Sequence, residues 1–116
     1  MRGTTARRRR ALYDDAVALI EREYASELDL DSVALRVASS RRQLQRVFEE
    51  IGQTTFRRHL AEVRMRNAVE LLEQGALPVR EVARRVGYRQ PAQFAKAFRR
   101  HYGTPPSSLR PASLLT

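Results

Sequence analysis

Apolar residues recur every three or four positions along most of the chain, which is the spacing of amphipathic helices. The first such stripe predicts a helix over residues 11–26 and consists of Leu12, Ala16, Leu19, Ile20 and Tyr24. Shorter helices are expected over residues 30–36 and 41–50. A longer one begins at position 54 or 55 and continues to about position 74, before Gly75 supplies a left-handed stop. The pattern predicts an all-α chain.

Two more short helices follow around a glycine. Val79, Val82, Ala83 and Val86 make one apolar face, and Gly87 stands where that helix must end. The next helix has Gln90 as a weak N-cap and Pro91 at its first position, and it continues to Gly103. Its apolar residues are Phe94, Ala97, Phe98 and Tyr102. Two short helices joined by a tight glycine turn are typical of a helix-turn-helix, and residues 107–110 are expected to add a last short turn.

The same design occurs earlier in the chain, so the motif is duplicated. Leu30, Val33, Ala34 and Val37 align with Val79, Val82, Ala83 and Val86. With one residue added in the second turn, Leu44 aligns with Phe94, Arg46 with Lys96 and Phe48 with Phe98. Asp29 and Ser40 stand where the N-caps of the first motif's two helices are needed. The inward spacing of the aromatic residues favours core packing over stacking on single-stranded bases.

These residues carry a resemblance to a known family. The pattern L-x-x-V-A…S-x-x-x-L-Q-R-V-F, a long helix, then V-x-E-V-A-x-x-V-G-Y…F-x-K-x-F-R…G-T-P-P-x-x-L-R resembles the DNA-binding domain of AraC/XylS-type transcription regulators. The chain looks most like the small stand-alone members. The family usually has a glycine after its first reading helix, where this chain has Gln53.

The resemblance implies two helix-turn-helix subdomains joined by a long connector helix, about seven helices in all. The expected segments are a basic disordered arm at 1–10, subdomains at 11–53 and 76–110, the connector at 54–75 and a tail at 111–116. About 20 connector residues span ~30 Å, close to the ~34–36 Å between successive major grooves, so a rigid connector favours a monomer that reads two grooves. Folding back into one compact bundle is the alternative.

Composition supports a nucleic-acid partner. The chain has 116 residues, a formal net charge of +9 and a sequence pI near 11.3. Residues 7–10 are all arginine, and this arm either is solvated or touches phosphates or a minor groove. The absence of cysteine excludes disulfides and fits a reducing cytoplasm. No apolar run approaches the ~18 residues of a membrane span, and the basic start lacks the apolar core of a signal peptide.

The resemblance implies that the second helix of each motif, here called its reading helix, enters the DNA groove. Candidates for base contact lie on the outward faces of these two helices, and candidates for phosphate contact lie on them or next to the helix starts. Candidates for base contact are Arg41, Arg42, Gln45, Arg46, Ala92, Gln93 and Lys96. Candidates for phosphate contact are Ser40, Arg57, Arg89, Gln90, Arg99 and Arg100. Arginine pairs with guanine and glutamine with adenine, whereas Pro91, Ala92 and Ala95 cannot donate to base edges. The first motif is therefore expected to carry most sequence discrimination, and the second to anchor the backbone and contact thymine methyl groups.

The leading hypothesis is a double-stranded-DNA-binding transcription regulator in the bacterial cytoplasm, associated with the nucleoid. Family resemblance implies activation through RNA polymerase. Two alternatives remain: the DNA-binding fragment of a longer sensor-fused regulator, and a sequence-tolerant architectural protein. An enzyme is not expected, because no paired nucleophile and base, phosphate loop or metal cluster occurs. No cofactor is expected, and His59 and His101 lack the spacing of metal ligands.

Overall fold

The structure is a computed structural model that describes the backbone of residues 2–111 and the side chains from Thr5 onward. Every regular element in this part of the chain is helical, as the sequence predicts. The six α-helices are α1 (Arg2–Glu23), α2 (Leu30–Arg36), α3 (Arg41–Glu50), α4 (Phe56–Gln74), α5 (Val79–Arg85) and α6 (Pro91–Tyr102). A 3-10 helix follows at Pro106–Leu109. The tail predicted for 111–116 lies, beyond Pro111, outside the described residues.

The prediction of a disordered arm at residues 1–10 is wrong from Arg2 onward, because α1 begins there. Alanine and arginine are good helix formers, and Arg10 lies 3.3 Å from Asp14, one turn further on. An ion pair from Arg9 to Glu50 ties this segment to α3. At its other end α1 stops at Glu23, earlier than expected, where Ser26 caps the Glu23 carbonyl through its N–H and its hydroxyl.

The chain forms two compact units whose boundary falls inside α4, between Ala61 and Glu62. The N-terminal unit is organised around Phe48, which is fully buried as predicted. Its ring makes edge contacts with Tyr13, Phe56 and His59 at 5.4, 6.0 and 5.6 Å. Further buried residues of this unit are Ala16, Leu19, Ile20, Val33, Ala34, Leu44, Val47 and Leu60.

The C-terminal unit is organised around a row of aromatic rings on α6. Phe94 and Phe98 are fully buried, with ring centroids 5.8 Å apart. Tyr102 continues the row at 4.7 Å from Phe98 but stays 41% exposed, so it covers the core rather than filling it. The other buried apolar side chains of the unit are Val63, Met65, Ala68, Leu72, Val82, Ala83, Val86 and Pro106.

Candidate nucleic-acid interface

The start of α3 is fixed by its N-cap. Ser40 has extended backbone geometry, and its hydroxyl accepts a hydrogen bond from the Gln43 N–H at 3.2 Å, as the sequence predicts for a cap. Leu44, Val47 and Phe48 are buried on the inner side of the helix. This burial turns the opposite side outward, and Arg42, Gln45 and Arg46 are exposed there.

Arg41 differs from the other candidates on α3 because it has a carboxylate partner. Its guanidinium donates to Asp31, on the first helix of the motif, at 3.1 Å. Within the described residues no carboxylate pairs with Arg42 or Arg46. The α3 surface therefore presents Arg42, Gln45 and Arg46 as its available donors, while Arg41 is engaged within the motif.

The outward face of α6 is basic and has no acid. Ala92, Gln93, Lys96, Arg99 and Arg100 are all exposed. Gln90 is the N-cap residue but makes no side-chain capping bond, and Pro91 occupies the first turn as predicted. Ala95 is half-buried, so its methyl group is less available for contact than that of Ala92.

The remaining phosphate candidates are also on the surface. Arg57, in the first turn of α4, is exposed, as is Arg89, which precedes α6. Thr55 caps α4 by accepting from the Arg58 N–H at 3.1 Å. Every candidate that the sequence singled out is thus exposed within its own unit.

Other arginines are neutralised by nearby acids. Arg84 and Arg85 both contact Glu81 within α5, and hydrogen bonds from Arg84 hold the pKa of Glu81 below its usual range. Arg36 forms a two-pronged pair with Glu23 at 2.6 and 2.7 Å, which lowers the pKa of Glu23. The helices that precede the reading helices therefore have much of their charge balanced, whereas α6 does not.

The two turns of the duplicated motif share an unusual backbone. Gly87 has φ +104°, and Ala38, which aligns with it, has φ 57°. After the reading helices, Gly103 has φ 80° and its counterpart Gln53 has φ 52°. The first motif therefore has left-handed backbone at Ala38 and Gln53 without the glycine that normally favours it.

One contact that sequence reasoning missed supports the second turn. Arg64, on α4, lies with its guanidinium 5.5 Å from the centre of the Tyr88 ring and against the Gly87 backbone. Arg64 is half-buried, and this burial lowers the pKa of its guanidinium. Burial likewise raises the pKa of Tyr88. The sequence pattern does not predict this contact, because Gly87 and Tyr88 follow Arg64 by 23 and 24 positions in the chain.

No group of three or more metal-binding side chains occurs among the described residues. In the same part of the chain, no helix is both long and apolar enough to cross a membrane.

Known proteins match this chain over most of its length. A family model described as "Helix-turn-helix domain" matches residues 33–112. The HTH-type transcriptional regulator GbdR of Pseudomonas aeruginosa is 34% identical over 96 residues, which are 83% of this chain and 26% of the relative. The HTH-type transcriptional regulator GlxA of Rhizobium meliloti is 38% identical over 112 residues, covering 94% of this chain and 35% of that protein. The chain thus spans about a quarter to a third of these relatives.

Solved structures agree with the sequence matches. The C-terminal domain of AraT, a response regulator from Geobacillus stearothermophilus, superposes with a TM-score of 0.83 at 32% identity, covering 85% of this chain and 83% of that one. The DNA-binding domain of AdpA, a global transcriptional factor solved in complex with a target DNA, gives a TM-score of 0.78 at 30% identity. It covers 83% of this chain and 86% of that chain.

Proposed function

Because the chain belongs to the AraC-type helix-turn-helix DNA-binding domains of transcription regulators, we propose that it reads an asymmetric duplex site as a monomer. In this proposal α3 and α6 enter two successive major grooves. The observation that carries it is the inequality of the two reading surfaces: Arg42, Gln45 and Arg46 on one, Ala92, Gln93 and Lys96 on the other. Two unlike reading helices on one chain match an asymmetric site without a symmetric dimer.

The first reading helix carries most base discrimination in this proposal. Arg42 and Arg46 are exposed, have no carboxylate partner among the described residues and can each donate two hydrogen bonds to guanine. Gln45 can make the equivalent pair with adenine. Arg41 contributes less to base reading, since leaving Asp31 breaks an ion pair within the motif.

The second reading helix mainly anchors the backbone. Arg99, Arg100 and Arg89 contact phosphates, Lys96 reaches either a phosphate or a guanine, and Ala92 offers a methyl group to thymine. Ser40, Arg57 and Gln90 add phosphate contacts near the starts of their helices. The acid-free surface of α6 supports this division, because its charge is not spent on neighbouring carboxylates.

The regulatory outcome that we propose is activation through contact with RNA polymerase, in the bacterial cytoplasm at the nucleoid. Family membership is its support. In vitro transcription from a promoter with the selected site should rise when the chain is added, and a fall would assign repression instead.

A fragment of a longer regulator is the second candidate, and the short span relative to GbdR and GlxA favours it. The isolated chain would then bind its site but fail to change transcription without the missing part. A sequence-tolerant architectural protein is favoured only by the net charge of +9. Such a protein would bind all duplexes alike, with an affinity that falls as salt rises.

The deciding experiment is selection of bound duplexes from a random library, followed by footprinting at near-physiological salt. We expect an asymmetric motif with two protected major-groove segments about one turn apart. Arg46→Ala should then flatten the preference at its base position, at a cost of about 1–3 kcal/mol for the preferred sequence. Arg99→Ala is the matched control and should weaken all sequences alike. Failure to enrich any sequence would overturn the proposal.

A further inference from the structure

The basic first half of α1 lies against the end of α3. Arg9 is half-buried and pairs with Glu50, the last residue of α3. One turn further along α1, the ring of Tyr13 packs edge-on against Phe48 at 5.4 Å. A Cβ added to Gly52, just beyond α3, would lie 2.7 Å from the Tyr13 hydroxyl oxygen. These close contacts hold the part of α1 around Arg9 and Tyr13 beside the first reading helix.

Helix geometry spreads the arginine segment, defined as residues 7–10, around α1. Arg9 faces α3, and each residue step turns the side chain by about 100°. Arg8 and Arg10 therefore project from the two flanks of that face, whereas Arg7 points away from it. All three are exposed. Arg10 is within 3.3 Å of Asp14, and no carboxylate among the described residues pairs with Arg7 or Arg8.

The duplicated motif has basic residues at the end of one reading helix and acidic residues at the end of the other. In the aligned register, Arg99 and Arg100 of α6 correspond to Glu49 and Glu50 of α3. A reading helix of 10 residues is about 15 Å long, and the major groove is about 12 Å wide, so the end of the helix reaches the phosphates at the groove edge. Glutamates repel phosphates there. Arg9 neutralises Glu50, and Arg8 adds a positive charge beside it that has no carboxylate partner among the described residues.

We propose that Arg8 and Arg10 contact DNA phosphates beside α3 and so give the N-terminal unit the backbone anchor that Arg99 and Arg100 provide in the other. This inference rests on the proposed function, because it requires α3 to lie in a major groove. A folded helix held by Arg9 reaches phosphates next to α3 and not the floor of a minor groove. The contact therefore adds affinity and salt dependence but no base preference.

The test compares two double variants of the full chain that remove the same charge. Arg8→Gln with Arg10→Gln removes the proposed contacts. Arg7→Gln with Arg22→Gln is the control, since Arg7 faces away and Arg22 lies about 20 Å along α1 from Arg8. Glutamine keeps the helix propensity close to that of arginine, and circular dichroism verifies the helix content of both. Affinity is measured against salt on the selected site and on a scrambled duplex.

We expect the first double variant to lower the slope of log affinity against log salt by about 1.8, which corresponds to two lost phosphate contacts. Both duplexes should weaken by the same factor, and the control should keep the parent slope. If the slope falls by the same amount in both variants, the effect is one of net charge and the proposal is overturned. If neither slope differs from that of the parent, the proposed contacts do not exist. Selective loss on the selected site would mean base contact instead.

Failure of the proposed function is distinguishable from failure of this inference. Arg46→Ala and the library selection report on base reading alone. The salt slopes on a scrambled duplex report on phosphate contacts whether or not any sequence is preferred. If no sequence enriches but the first double variant still loses slope, the phosphate anchor stands and the specific reader does not.

Discussion

At the residue scale, Ala38 and Gln53 hold left-handed backbone without being glycine. Left-handed backbone destabilises an L-residue by roughly 1–2 kcal/mol relative to glycine. Replacement by glycine removes this strain, but the greater freedom of glycine in the unfolded chain offsets part of the gain. We predict that Ala38→Gly, at an exposed turn position, stabilises the protein by about 0.5–1 kcal/mol. Urea unfolding measures the change. Ala25→Gly, at an exposed position without positive φ, is the comparison and should not stabilise.

Gly87 combines a backbone constraint with a steric one. A Cβ at this position would lie 3.0 Å from Cζ and Nε of Arg64, and φ is +104°. Gly103 has φ +80° but nothing within 4 Å of the added atom. We predict that Gly87→Ala destabilises by about 2 kcal/mol or more and exceeds Gly103→Ala, which reports strain alone. Equal losses in urea unfolding would show that Arg64 gives way freely.

The exposure of the candidate side chains could be read from helical periodicity, because Leu44 and Phe94 fix which side of each helix faces inward. The residues that arginine side chains contact could not be read from periodicity. The Arg41–Asp31 pair joins α3 to α2, and the packing of Arg64 on Tyr88 joins α4 to the turn that precedes α6. Such contacts depend on how the helices pack, and the periodicity of a single sequence does not give the distances between side chains on separate segments.

At the element scale, Asp29 sets the start of α2 through a capping box. Its carboxylate accepts from the Ser32 N–H at 2.7 Å, and this bond holds the pKa of Asp29 below its usual range. A lowered folded-state pKa gives stability that is present above the unfolded pKa, near 4, and is lost as pH falls through the folded value.

We therefore predict that Asp29→Ala is less stable than the parent at pH 7 and that this difference shrinks at pH 3. Asp29→Asn is the matched variant, since asparagine caps equally well but does not titrate. Its stability should stay closer to that of the parent at neutral pH and decline less on acidification. Thermal unfolding at both pH values measures this, and an unchanged gap for Asp29→Ala at pH 3 would contradict it.

Local signals located most element boundaries. Ser40 at the start of α3, Pro91 at the start of α6, and Gly75 and Gly103 at helix ends all occur where the sequence placed them. The beginning of α1 was missed because residues 2–10 show no apolar periodicity. Their helix depends on propensity and on Glu50, which follows Arg9 by 41 positions. Periodicity detects faces that pack on a core, and this segment is held by charge instead.

At the scale of the whole molecule, duplication has produced two motifs with the same backbone and different surfaces. The loops between the two helices of each motif both have left-handed backbone, at Ala38 and at Gly87. The last turn of α3 is acidic, whereas the last turn of α6 is basic. Backbone geometry is retained because each motif must bury the same helix faces. Outward side chains are free to diverge, and the proposed reading of two unlike half-sites by one chain depends on this freedom.

The spacing between half-sites tests whether both motifs bind at once. α4 runs through 19 residues without glycine or proline, which is about 28 Å of continuous helix. An insertion of about 5 bp between the half-sites turns the second one to the opposite face of the duplex. We predict that affinity then falls by about 100-fold or more, toward that of the first half-site alone.

The control duplex keeps the original spacing but has about five of the base pairs between the half-sites substituted, and its affinity should stay nearly unchanged. An insertion of about 10 bp restores the face but adds ~34 Å, which a helical connector cannot cover, so affinity should stay low. A gel-shift titration of the four duplexes measures each case. Recovery at the full turn would identify a flexible connector, and indifference to every insertion would mean that a single motif holds the DNA.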